Sequence, residues 1–285
     1  MKKFFLRLVI LVSVVVLIAV TLFFIYVYPF MKEMQKITTI QYDPRMTVML
    51  GGGGNSGILV SDSAVLVIDT KMSGGADSLY HLVKALTGGK KPVIVVNTHI
   101  HTDHTGGNKL FHGQTIIAGG SYDPAFWTAE CGKEGTPTVW VKDSLTIRMG
   151  EETVTIINLT WNAHTQSDVF VYLHNRKMLF GGDVILNHAA PAMFARYNAD
   201  GYGYLKAFDY LIQRFDIAKV VPGHGDMGGP EVISAYRDYF TDMKLAALDH
   251  SKENELVAKY ADYRHIPRLM SSEAVVDWFE KHPKK

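Results

Sequence analysis

The chain has 285 residues, 47% hydrophobic and 20% charged, which is enough for one large globular domain with a sizeable buried core. A formal net charge of +1, with no lysine- and arginine-rich run interleaved with aromatics, argues against nucleic acid as a partner. The one cysteine, Cys131, excludes an internal disulfide framework and any multi-cysteine zinc site; in TAECGKEG it reads as a small, partly buried side chain rather than a nucleophile.

Residues 1–7 form a basic flank containing Lys2, Lys3 and Arg7. The 23 residues from Leu8 to Phe30 carry no charge and would cover about 34 Å as a helix, against a hydrocarbon core of roughly 30 Å. A cleavable leader has a shorter apolar core, about 7–15 residues, and ends in a small-x-small site that is not found here. The stretch is therefore read as a single-pass transmembrane anchor, residues 8–30, with Tyr26 and Tyr28 at the far interface. The leading positive charges place the domain that follows on the outer side of the membrane, although Lys32 and Lys36 follow the span. Residues 31–41 read as a short polar link, and residues 42–285 as one domain without internal repeats.

Within that domain, GGGGNSG at 51–57 lacks the Gly-Lys-Ser/Thr that a phosphate loop requires, so it reads as a flexible loop beside strand-like GILVS and AVLVIDT. PVIVVN (92–97) is a short β-branched run, and VWVKDSLTIRM (139–149) and TVTIINLT (153–160) alternate as antiparallel strands do. DVFVYLH and KMLFGG flank Asn175-Arg176, a hairpin signal. Helical spacing follows in Tyr204, Phe208, Leu211 and Phe215, then in EVISAYRDYFTDMKLAAL, ELVAKYADY and SEAVVDWFEKH, with KVVPGHG (219–225) as one more strand. Hairpins mixed with strand–helix units predict an α/β fold with helices packed outside two sheets.

The apolar runs end in a common way. VLVI stops at Asp69, VIVVNT at His99, IINLTWNA at His164, KMLFGG at Asp183 and KVVPG at His224. Loops beyond the carboxyl ends of strands are where such folds place their sites. In NTHIHTDHTGG, extended backbone would point residues 99, 101 and 103 to one side, so that His99 and His101 grip one ion. Asp103 and His104, opening a helix, would reach a second ion, and Gly106-Gly107 would let the chain pass closely. Imidazole and carboxylate donors suit zinc, and also iron or manganese. A lone His-x-His on a polar loop is common by chance, but chance is a poor account of this motif joined by three more strand-end donors. The other seven histidines read as exposed or loop residues, His174 in a hairpin turn and His188 in a loop that could line a pocket. Phe126, Trp127, Trp161, Phe194 and Tyr202 are candidates for a pocket wall, and Arg196 for a substrate carboxylate; each reads equally as core or solvated surface.

THIHTDH, with Asp69 upstream and AHTQSD, LFGGD and VPGHGD downstream, resembles the metallo-β-lactamase superfamily of dinuclear hydrolases over roughly residues 46–226. The resemblance implies an αββα four-layer sandwich with metals at one edge, here preceded by the N-terminal transmembrane helix. It assigns His99, His101 and His164 to one zinc ion, Asp103, His104 and His224 to a second, and Asp183 to both. Asp69 would orient a ligand by hydrogen bonding, or simply cap a turn. β-Lactamases with a cysteine ligand carry it where this chain has Asp183; that aspartate and the surrounding wording are more similar to glyoxalase II, lactonases and quinoprotein-associated hydrolases. WNAHTQSD departs mildly from the Pro-Gly-His of glyoxalase-like relatives. The implied chemistry is attack of a bridging hydroxide, aimed by Asp103, on the carbonyl of a small-molecule ester, thioester, lactone or β-lactam. Persulfide dioxygenases share much of the donor set, so a mononuclear iron oxygenase is the contrasting reading.

Overall fold

The charge-free run near the N-terminus is helical throughout: α1 (Lys2–Leu22), a π turn (Phe23–Val27) and α2 (Tyr28–Gln35) follow one another without a break. The computed structural model describes residues 2–72, 74–266 and 269–283; Met1, heading the expected flank, and the last two lysines, closing the expected domain, fall outside them. Phe4–Val27 has a mean hydropathy of 3.3 and is long and apolar enough to cross a membrane, a property that a signal sequence shares. Residues 31–41 are not a polar link. α2 runs to Gln35, and β1 (Ile37–Asp43) begins two residues later, its β-branched ITTI pairing antiparallel with β2 from Ile37 opposite Gly51 to Asp43 opposite Met46.

Among the described residues the strands form two sheets. The first holds β1, β2 (Met46–Gly51), β3 (Ser56–Val60), β4 (Val65–Ile68), β5 (Val93–Val96), β6 (Thr115–Gly119) and β7 (Val139–Val141), side by side in chain order. β1 to β4 are antiparallel; β4 to β7 are parallel, joined across α3 (Gly75–Thr87), α4 (Thr102–Thr105) and α5 (Pro124–Cys131). The second sheet holds β8 (Ser144–Met149), β9 (Glu152–Asn158), β10 (Val169–Leu173), β11 (Met178–Phe180) and β12 (Lys219–Val221) in the order β12-β11-β10-β9-β8. α6 (Gly201–Arg214) connects the parallel pair β11 and β12, and α7 (Glu231–Leu248), α8 (Glu253–Ala258) and α9 (Ser272–Lys281) follow.

VWVKDSLTIRM, expected to be one antiparallel strand, belongs to both sheets. Val139–Val141 pairs parallel with β6, the chain crosses over at Lys142-Asp143, and Ser144–Met149 pairs antiparallel with β9. The expected hairpin at Asn175-Arg176 is present, and Arg176 grips Asp43 at 2.7 and 3.0 Å and also pairs with Glu152, tying the end of β1 to the second sheet.

Strand alternation sorts the core into layers. Leu66 and Ile68 of β4 face Val169, Val171 and Phe180 of the second sheet, whereas Val65 and Val67 turn outward onto Leu79 and Val83 of α3. Phe170 and Tyr172 of β10 face the other way, onto Tyr204, Phe208, Tyr236 and Phe240 of α6 and α7. Both faces of the central strands are covered, which is why they read as unbroken apolar runs. The result is a helix–sheet–sheet–helix sandwich. Gly57 of β3 allows the sheets to close: a Cβ there would sit 2.5 Å from Cζ of Phe180.

Candidate metal centre

The strand-end residues meet at one edge of the sandwich. Loops of the first sheet bring Asp69 (after β4), His99 and His101 (after β5), and Asp103 and His104 on α4; those of the second bring His164 (after β9), Asp183 (after β11) and His224 (after β12). Side-chain atoms of His99, His101, His164 and Asp183 lie within 4.8 Å of one another, and so do those of Asp103, His104, Asp183 and His224. Each sheet thus supplies part of each group, and Asp183 belongs to both. One expectation changes: α4 begins at Thr102, with His101 extended just before it (φ −60°, ψ 145°), so the alternation stops at residue 101 and Asp103 turns to the second group.

Hydrogen bonds fix which nitrogens are bare. Thr98 Oγ1 gives its proton to Asp69 Oδ2 at 2.6 Å, so His99 Nδ1, 3.2 Å away, must donate to Thr98, leaving His99 Nε2 with a lone pair. Tyr204 donates to the carbonyl of Asp183 at 3.4 Å and accepts from His164 Nδ1 at 2.7 Å, leaving His164 Nε2 bare as well. Both bare atoms point at His101 Nδ1, at 3.1 and 2.9 Å. In the second group His104 Nδ1 lies 2.7 Å from Asp69 Oδ2, so its Nε2 looks at Asp183 Oδ1 (3.1 Å) and Asp103 Oδ2 (3.6 Å), and His224 Nε2 is 2.9 Å from Asp103 Oδ2. Among the described residues, His101 Nε2, His104 Nε2 and Asp183 Oδ1 are buried with no hydrogen-bond partner.

The electrostatics agree with this donor geometry. Burial holds His99 well below the usual imidazole range and pushes His164 down to about 3, so both stay neutral. Burial opposes charge on His104 too, but the carboxylates of Asp183, Asp103 and Asp69 outweigh it and raise its pKa well above the usual value. Neutral lone pairs on His99 and His164, together with the three carboxylates that favour positive charge at the His104 ring, make a cluster whose natural occupant is a cation. The donor set therefore fits metal ions.

Three supports went unrecognised in the sequence. Tyr204, which orients His164, looked like one more position in a helical stripe; nothing local marks its hydroxyl. Lys71 is fully buried, and its ammonium donates to the carbonyls of Met49, Gly51 and Gly54, pinning the glycine loop; burial pushes it down to about 7 against the pull of Asp69. That loop is not a flexible connection but the packed floor of the site: a Cβ on Gly54 would lie 2.2 Å from His104 Cε1. Asp168, in AHTQSD, takes hydrogen bonds from the backbone N–H and hydroxyl of Thr165 and closes the loop carrying His164.

Of the aromatic candidates, Phe194 lines the adjoining cavity. Trp127 is core, Phe126 stacks on Tyr122, Trp161 bonds the carbonyl of Gly203, Tyr202 packs on Trp278 and Phe279, and Arg196 pairs with Glu130. Tyr197, whose ring centroid is 4.4 Å from that of His101, is a wall residue the sequence did not reveal. His188 lines a second cleft, while His174 bonds Thr155 on the second sheet.

Fold and cluster together define a metal-binding αββα sandwich. The chain belongs to the metallo-beta-lactamase superfamily, whose profile matches residues 49–224 and so includes all seven clustered side chains. It is 23% identical over 168 residues to the acyl-coenzyme A thioesterase MBLAC2 of Gallus gallus, a match covering 50% of this chain and 60% of that protein. It is 26% identical over 185 residues to metallo-beta-lactamase type 2 of Bacteroides fragilis, covering 63% and 72% respectively. The chain thus spans about three-fifths of the thioesterase it matches. The structure superimposes on the metallo-beta-lactamase from Pontibacter korlensis with a TM-score of 0.62 at 24% identity, over 72% of this chain and 99% of that one, which supports the fold.

Proposed function

We propose that this protein is a membrane-anchored, zinc-dependent hydrolase of a small carbonyl substrate, with an acyl thioester as the first candidate. Asp183 carries the reading: Oδ1 lies 3.1 Å from His104 Nε2 and Oδ2 lies 3.5 Å from the Nε2 atoms of both His164 and His224, so one carboxylate serves two adjacent donor groups. His99, His101 and His164 would hold one ion, Asp103, His104 and His224 the other, and Asp183 both. When bound, such a pair of cations supplies Lewis acidity and lowers the pKa of water to near neutrality.

The protein's own groups complete the chemistry. Asp103 lines the cavity with its carboxylate partly exposed, placed to accept a proton from the attacking water and return it to the leaving group. Water adds to the carbonyl carbon, the bond to sulfur or another leaving atom breaks, and an acid and a protonated leaving group result. Thr98 and Asp69 hold His99 and His104 in their tautomers, and Tyr204 does so for His164. Thioesters lead because one relative is an acyl-coenzyme A thioesterase; β-lactams come second because another is a β-lactamase.

The charge-free run Leu8–Phe30 would anchor the protein, with Lys2, Lys3 and Arg7 retained inside and the domain outside. Protease added to intact cells should then digest the domain; full protection would reverse that orientation.

The deciding experiment is elemental analysis of the detergent-solubilised full chain purified without added metal, followed by turnover of acyl thioesters and β-lactams. About two zinc ions per chain and chelator-sensitive hydrolysis are expected. About one iron, with oxygen consumption on a persulfide, would replace the hydrolase by an oxygenase; no retained metal would overturn the assignment. Tyr204→Phe should weaken metal retention about 10–100-fold in chelator competition, because His164 Nδ1 loses its partner. Unchanged retention would reduce that hydroxyl to packing.

A further inference from the structure

The cluster adjoins two hollows of different character. One, of about 300 Å³, is walled by Leu186, Ala189, Ala192, Phe194, Tyr197 and Met270, with His101, Asp103, His164 and Asp183 at its base. The other, of about 400 Å³, is bounded by polar side chains including Lys36, Asn55, His188, Asp226 and Asp262. They meet at His224 and Arg264, which line both. Lys36, Arg264 and Met270 lie outside residues 49–224, so the flanks of the superfamily match add to walls that Leu186, Phe194 and Tyr197 supply from within it.

Arg264 is fixed by its backbone: its N–H donates to the carbonyl of His188, and its carbonyl accepts from the N–H of Ala190, both at 2.9 Å. Its side chain is half-buried, yet among the described residues its guanidinium makes no hydrogen bond, ion pair or ring contact. A guanidinium is charged at any working pH and presents a planar fork suited to phosphate or carboxylate. Of the carboxylates in the same cleft, Asp262 lies 3.4 Å from His188 Nδ1, and Asp226 sits beside the site in the sequence GHGD. An unengaged permanent cation where an apolar hollow meets a polar cleft calls for an anionic group on the substrate.

We infer that the substrate is two-ended: an apolar acyl group occupies the hollow under Phe194 and Met270, the carbonyl lies beside His224, and a phosphorylated leaving group extends into the cleft, where Arg264 binds it. This rests on the hydrolase reading and narrows it to a substrate class. Water attacks the carbonyl, the carbon–sulfur bond breaks, and the thiol departs with the phosphate it carries.

The test uses two thioesters of the same acyl group, one on coenzyme A and one on uncharged N-acetylcysteamine. The wild type should favour the coenzyme A ester roughly tenfold in kcat/KM, chiefly through KM. Arg264→Gln should bring that ratio towards one, and Arg264→Lys should recover part of it. A variant that slows both esters equally, or a ratio that does not move, overturns the proposal. Calorimetry with non-hydrolysable thioethers of the same two thiols separates this from the hydrolase reading. Arg264-dependent preference for the coenzyme A thioether in a protein that hydrolyses neither ester would sustain the anion site and sink the hydrolase. Hydrolysis with no preference in either assay would do the reverse.

Discussion

Asp103→Asn should lower kcat by about two to four orders of magnitude while metal content stays near that of the wild type. Asparagine has the same shape and keeps an oxygen that can face a cation, so the change removes little besides negative charge and proton affinity. Asp103 Oδ2 lies 2.9 Å from His224 Nε2, and the side chain lines the cavity, in contact with both the cluster and the place a substrate must occupy. Elemental analysis run beside thioester turnover separates the outcomes. Low turnover with metal retained gives Asp103 the proton-transfer role, low turnover with metal lost makes it a ligand only, and near-wild-type turnover removes it from the chemistry.

Gly54→Ala should be as damaging from the opposite direction, although alanine carries no charge and no reactive atom. Its Cβ would lie 2.2 Å from His104 Cε1 and 2.5 Å from both ring nitrogens, far inside van der Waals contact. The ring has no room to yield, because it is fully buried and Nδ1 is held by Asp69 at 2.7 Å. The backbone cannot drift easily either: the N–H of Gly54 donates to the carbonyl of Asp103 at 2.8 Å, and its own carbonyl takes the Lys71 ammonium. We expect a stability loss of about 1–3 kcal/mol and loss of the ion that His104 would hold. Denaturation and metal content measured on the same preparation check both. A variant with wild-type metal content and melting would show that the loop is as pliant as its composition suggests.

These two residues mark what could be read from the sequence and what could not. Asp103 sits in a stretch where chemistry and order along the chain coincide, since each donor follows directly on an apolar run that had to be a strand. Five such endings, at Asp69, His99, His164, Asp183 and His224, could be recognised one by one, and the sandwich gathers them because the loops involved open at one edge. Gly54 was misread because a run of glycines states only that side chains are missing. Which neighbour fills the space is decided by strands far away in the chain. Tyr204 and Arg264 were hidden for the same reason: a stripe of apolar residues predicts a helix, but not which member turns a hydroxyl towards His164, and an arginine in a C-terminal segment predicts solvent until the fold sets it beside the cavity. The switch of sheets at Lys142-Asp143 was missed because alternation looks alike whichever sheet a strand joins.

The division of the cluster between the sheets has a further consequence. His99, His101, Asp103 and His104 come from one sheet and His164, Asp183 and His224 from the other, so each donor group draws on both and is complete only while the two halves are docked. A ligand that recognises only the assembled state stabilises it, by about 4 kcal/mol when present at a thousand times its dissociation constant. Retention of the ions and cohesion of the sandwich then become reciprocal quantities. Chelation would loosen the apolar seam where Phe180 meets Gly57, and erosion of that seam, with no donor touched, would release the ions sooner. In that sense the reactive centre also works as a fastener, and the protein would lose its chemistry and its shape together.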